Sequence, residues 1–95
     1  MLRLFAKLFR RPQPIAIVLY TRVQCHLCDD AKALIEKHRS NYNLTLEVVD
    51  VDSDPRLISE YGMKVPVVLI NGVERFFGQI NEVLFVRQLK ACSKK

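Results

Sequence analysis

From Ile15 to Leu89 the hydrophobic period of the chain alternates between that of a strand and that of a helix, in an order that few folds can satisfy. Ile15–Thr21 (IAIVLYT) is β-branched and aromatic with apolar residues on both faces, which predicts a buried central strand. Cys28, Ala31, Leu34, Ile35 and His38 then step by three and four, predicting a helix of about 14 residues. His38 and Arg39 fall in its last turn, where cations suit the C-terminal dipole. Thr45–Val51 reads as a second strand, less apolar and nearer an edge. Asp54 and Pro55 are an N-cap and a first helical residue, Leu57, Ile58 and Tyr61 form an apolar face, and Gly62 is a natural stop. Val65–Ile70 is a third strand opening on a proline, and Asn71-Gly72 is a strong two-residue hairpin signal that sends Val73–Phe77 back antiparallel. Asn81 can cap a last helix carrying Leu84, Phe85, Gln88 and Leu89 on one side.

The order is therefore β-α-β-α-β-β-α. Strands joined by helices are expected to pair parallel through right-handed crossovers, and the hairpin adds an antiparallel edge. The predicted class is α/β, a four-stranded mixed sheet with helices on both faces. At 95 residues the chain suits one small domain, burying roughly 60–65% of the surface its unfolded form exposes. A 49% apolar content with three Gly and four Pro excludes a disordered or fibrous chain. The longest apolar runs are six residues, far short of the ~20 that a spanning helix needs.

The formal charge of +5 is unevenly placed. Arg3, Lys7, Arg10 and Arg11 lie in the first 14 residues and Lys90, Lys94 and Lys95 in the last six, with no acid in either stretch. Ile15–Leu89 keeps eight basic groups against ten acids, a net −2. A broad basic face is thus not expected on the body, and nucleic acid is not an expected partner. We divide the chain into a basic amphipathic arm (1–14), a globular domain (15–92) and a basic tail (93–95). In the arm Leu2, Phe5, Leu8 and Phe9 recur at helical spacing until Pro12 and Pro14 end the pattern. It can pack on the body, make weak contact with an anionic membrane surface, or serve as a targeting or partner-binding stub. Charges interrupt its apolar residues and no small-residue cleavage site follows, so a secretory signal is not expected and a cytoplasmic location is.

Chemistry concentrates at Cys25-His26-Leu27-Cys28, between the first strand and the first turn of the first helix. Side chains three apart on a helical turn lie ~5–6 Å apart at Cβ, so a small adjustment closes a disulfide. The helix N-terminus favours a thiolate on Cys25, while Cys28, deeper in the helix, stays protonated. Cys25 can then attack a substrate disulfide and Cys28 resolve the mixed disulfide. Asp29 and Asp30 oppose the thiolate and Arg22 and Lys64 favour it. A zinc site needs four ligands, and only Cys92, His26 and His38 remain as donors, with no second C-x-x-C or His pair. No metal is expected, and a redox pair is the favoured reading in this βαβ setting. Inert cysteines, a metal or iron–sulfur carrier and a non-catalytic interaction module are the alternatives.

Three stretches together, Leu19–Cys28 (LYTRVQCHLC), Val49–Asp52 (VDVD) and Lys64–Val68 (KVPVV), resemble the glutaredoxin branch of the thioredoxin superfamily. They are most similar to small bacterial glutaredoxin-like proteins whose active site reads Cys-x-Leu-Cys followed by an acidic residue. The resemblance covers Ile15 to about Leu89 and implies a thioredoxin fold and a thiol–disulfide oxidoreductase, with Cys25 attacking and Cys28 resolving. It implies a cis Val65–Pro66 bond that lets the Val65 backbone pair with a bound substrate. Arg22, His26, Leu27, Val65 and Pro66 are the implied substrate contacts. Partners would be protein disulfides or glutathione, with a reductase as electron donor and no bound cofactor, and the protein itself is expected to be a monomer.

The departures concern glutathione. The family's Cys-Pro-Tyr-Cys, Thr-Val-Pro and Gly-Gly with a later Asp are replaced by His26-Leu27, Lys64, and Phe77-Gly78 followed by Gln79-Ile80-Asn81. Arg22 does match the basic residue three before the first cysteine, and can pair a glutathione carboxylate. His26 is either a cation that stabilises thiolate or an exposed turn residue. Cys92 lies on the last helix's apolar stripe or in a fraying end, and Phe76-Phe77 reads as core at a strand end. Removing Met1–Pro14 is expected to change binding to anionic vesicles, measured by co-sedimentation, and to leave disulfide reduction by the folded protein unchanged.

Overall fold

A computed structural model describes residues 13–93; the first twelve residues, and so nearly all of the arm, and the last two lie outside the described residues. Four strands and three helices follow in the expected order: β1 (Ile15–Thr21), α1 (His26–His38), β2 (Leu44–Asp50), α2 (Pro55–Tyr61), β3 (Val67–Ile70), β4 (Val73–Phe77) and α3 (Glu82–Ser93). A short 3-10 turn, Val51–Ser53, takes the last residue that the sequence assigned to the second strand.

The sheet runs β2-β1-β3-β4, which makes β1 an inner strand and β2 an edge, as their compositions predict. β1 pairs parallel with β2, Ile15 opposite Leu44 through Thr21 opposite Asp50. β3 departs from expectation, because it pairs antiparallel with β1, Tyr20 opposite Val67 and Ile17 opposite Ile70. The reason is reach. A seven-residue helix spans about 10 Å, whereas a seven-residue strand spans about 23 Å, so α2 leaves the chain near the end of the sheet where β2 stopped. β3 is also shorter than predicted. Val65 and Pro66 stay outside it, Pro66 having no N–H to give a ladder.

Ile15, Ile17 and Leu19 alternate onto one face of β1 and are at most 2% exposed. They meet Ala31 and Ile35 of α1, Phe85 and Leu89 of α3, Leu44 of β2, and Val68 and Ile70 of β3. Tyr20 points to the other face and stacks on Tyr61 of α2, ring centroids 4.4 Å apart. Helices therefore cover both faces. α2 buries none of its own residues and is held chiefly at its ends. Asp54 accepts from the Arg56 N–H at 2.9 Å at the start. Gly62 ends the helix with a right-handed φ of −55°. What demands glycine there is room, since a Cβ would lie 2.5 Å from the Ile58 carbonyl oxygen.

The hairpin forms as predicted, with Asn71 and Gly72 both at positive φ, 50° and 84°. Asn71 does more than turn. Its Oδ1 accepts from the Ala16 N–H at 2.9 Å, and its own N–H donates to the Ala16 carbonyl at 2.8 Å, tying the hairpin to β1. Asn81 caps α3, its Oδ1 accepting from the Leu84 N–H at 3.0 Å. Phe85 and Leu89 turn inward, four residues apart, and Cys92 is half-buried against the same core. Leu84 does not share that face and is 46% exposed. Phe85→Ala should therefore lower the unfolding free energy by about 3–5 kcal/mol, and Leu84→Ala by no more than about 0.5 kcal/mol, in urea titrations.

Candidate active site

The chain leaves β1 at Thr21 and turns through Gln24, which sits at φ 59°. Cys25 follows as the N-cap of α1 in extended conformation, φ −117° and ψ 100°. Its Sγ accepts from the Cys28 N–H at 3.2 Å, and its carbonyl accepts from the N–H groups of Cys28 and Asp29, both at 3.1 Å. The sulfur thus takes the place that a Ser or Asp oxygen usually occupies at a cap, facing the positive end of the helix. Cys25 and Cys28 are joined as a disulfide with Cα atoms 5.2 Å apart, inside the usual range. Cys28 is 3% exposed, whereas Cys25 is only half-buried. His26 is exposed and Leu27 half-buried.

The Val65–Pro66 bond is cis. Val67 pairs with Tyr20, so Pro66 lies at the same end of the sheet from which β1 leads to Cys25. The Pro66 carbonyl accepts from the Gly78 N–H at 2.8 Å, which ties the proline loop to the end of β4.

Arg22 and Lys64, the two cations expected to favour the thiolate, are both engaged within the protein. The Arg22 guanidinium grips Asp52 with two bonds, Nη2 to Oδ1 at 2.7 Å and Nε to Oδ2 at 3.2 Å, and donates to the Gly62 carbonyl from Nη1 at 3.3 Å. Those bonds hold the Arg22 pKa above its ordinary value and the Asp52 carboxyl below its own. Lys64 Nζ pairs with Glu74 at 2.8 Å and lies 5.3 Å from the Phe77 ring centroid. Asp52, Gly62 and Glu74 are partners that sequence reasoning missed. The acids of Asp50–Asp54 were visible, but nothing in their spacing pointed to Arg22. The Phe76-Phe77 expectation divides. Phe76 packs edge-on against Phe85 at 5.9 Å, but Phe77 is 60% exposed because it faces the other way on an edge strand. Among the described residues no three His, Cys, Asp or Glu side chains are grouped to hold a metal ion, and no helix is long and apolar enough to cross a membrane.

At the C-terminal end of α1, Glu82 of α3 accepts from Lys37 and His38, both at 2.8 Å. These bonds, Lys37 first, depress the Glu82 carboxyl below its ordinary 4.5. A carboxylate depressed in the folded state contributes stability at neutral pH, and that contribution disappears as pH falls through the folded pKa. Urea midpoints measured from pH 7 down to pH 3 should therefore fall below about 4.5. Glu82→Gln and Asp52→Asn should each start lower at pH 7 and decline less.

A family model described as Glutaredoxin-like domain (DUF836) matches residues 16–90. An uncharacterized protein of Mycobacterium tuberculosis is 30% identical over 77 residues, covering 76% of each chain. Among solved structures, a Xanthomonas protein (X. campestris) is 29% identical with a TM-score of 0.67, covering 79% of this chain and 96% of its own. A Nitrosomonas europaea protein aligns at TM-score 0.72 and 23% identity over 83% and 95% of the two chains. Oxidized mitochondrial thioredoxin 3 of Saccharomyces cerevisiae aligns at TM-score 0.62 and 18% identity over 95% and 89%, a likeness of fold. With its C-x-x-C pair on a thioredoxin fold, the chain belongs to the family of glutaredoxin-like domains.

Proposed function

We propose that the protein is a thiol–disulfide oxidoreductase that reduces protein or small-thiol disulfides, with Cys25 as the attacking thiolate and Cys28 as the resolving thiol. The observation that carries this reading is the asymmetry of the two bonded sulfurs. Cys25 is the more accessible and caps a helix through an N–H···S bond, whereas Cys28 is buried one turn deeper. That N–H and the helix dipole favour negative charge on Cys25.

The cycle balances as two exchanges. The Cys25 thiolate attacks one sulfur of the substrate disulfide, forming a mixed disulfide and expelling the other sulfur as a thiolate. Cys28, losing its proton, then attacks Cys25 Sγ and expels the second substrate sulfur. The substrate has gained two electrons and Cys25–Cys28 has lost them, so turnover needs a dithiol reductase or two glutathione molecules. Both sulfurs come from one chain, which suits action as a monomer, and a reducing role suits a cytoplasmic compartment.

Substrate would meet His26 and Leu27 at the helix start and the Val65–Pro66 loop across from it. Arg22 enters as a positioning residue, since Asp52 and Gly62 already hold its guanidinium. Glutathione, whose carboxylates need a free cation, is then a poorer co-substrate than a protein dithiol. Cys25→Ser should abolish disulfide reduction, and Cys28→Ser should accumulate a mixed disulfide visible as a mass adduct. Iodoacetamide alkylation of reduced Cys25 should titrate below about 8.5, the free thiol value; a midpoint at or above it would count against the reading.

A further inference from the structure

A cleft of about 200 Å³ lies beside the redox pair, lined by Leu27, Asp30, Ala31 and Leu34 of α1 and by Gln79, Ile80 and Glu82 from the other side. Leu27, which stands between the two cysteines, is the residue of the redox turn that lines the cleft, and the cleft runs from it along α1 through Asp30, Ala31 and Leu34. We infer that this cleft is a subsite for a lysine or arginine side chain of a protein substrate, and that Asp30 selects it. The inference rests on the oxidoreductase reading and names its substrate class.

Size comes first. Small-molecule sites begin near about 300 Å³, so this cleft suits a single side chain. Its chemistry narrows the choice. Leu27, Leu34 and Ile80 offer apolar walls, and two carboxylates, Asp30 and Glu82, share the lining. An aliphatic stem ending in a cation matches that pairing. Glu82 already serves Lys37 and His38. Asp30 is exposed and makes no ion pair with any described residue, so it brings the uncompensated charge. Arg22 and Lys64, the cations that would welcome an acidic substrate at this end, are held by Asp52 and Glu74. Charge complementarity therefore favours a disulfide flanked by a basic residue.

The test uses the full-length protein, reduced and freed of reductant, with symmetric disulfide dimers of one short peptide. The residue beside the peptide cysteine is lysine, norleucine or glutamate, and acid-quenched samples give second-order rates at low ionic strength. A partly exposed ion pair of up to ~1 kcal/mol corresponds to a lysine-to-norleucine rate ratio of about three to five, with glutamate slowest. Asp30→Asn should bring that ratio to about one, while Asp29→Asn, a neighbouring exposed acid outside the cleft, should preserve it. The ratio cancels any change in Cys25 reactivity. Equal lysine and norleucine rates in the wild type would overturn the subsite while leaving the oxidoreductase reading intact. An equal loss of the ratio in both variants would replace the subsite with a general acidic field. Failure of the wild type to reduce any dimer would remove both readings.

Discussion

Strand β1 is paired along both edges, with β2 parallel on one side and β3 antiparallel on the other. Its Ile15, Ile17 and Leu19 are buried among α1, α3 and the neighbouring strands. Because β3 runs opposite to β1, the start of β3 lies beside the end of β1. The cis proline and the redox turn are therefore brought to one end of the sheet by strand direction alone. A parallel β3 would have started at the far end, with the proline a full strand length from the cysteines. Antiparallel pairing thus creates the site as a place, before any side chain contributes to it.

The same end of the sheet settles most of its positive charge internally. Asp52 holds Arg22, and Glu74 holds Lys64. Those pairs are partly exposed, so their worth lies in geometry more than in stability. Arg22 joins the end of β1 to the 3-10 turn after β2 and to Gly62, which leads into the proline loop. Three segments distant in sequence are thereby held near Cys25. Val23, Met63 and Phe77, all more than half exposed, belong to segments adjoining that end. Its chemical character is consequently apolar and acidic, although the whole chain is basic.

Much of the fold was legible because its signals are local. The β-branched and aromatic run Ile15–Thr21, the three-and-four spacing from Cys28 to His38, the Asp54-Pro55 start and the Asn71-Gly72 turn each depend on near neighbours, and each formed where expected. The errors came from features that neighbours do not determine. The direction of β3 depends on how far α2 can carry the chain, and the exposure of Leu84 and Phe77 on which elements stand opposite. Gly62 ends α2 as predicted, but through steric room at Ile58 and not through a left-handed turn.

By itself, then, the sequence determined the order of elements, the strand that lies inside the sheet, and the placement of Cys25 and Cys28 at a helix start. Periodicity and capping are encoded within a few residues. Only the tertiary structure decided the partners that occupy Arg22 and Lys64, and the meeting of Leu27, Asp30 and Ile80 around one cleft. Each of these joins groups that sequence leaves unordered in space, and packing against β1 is what brings them within reach of one another.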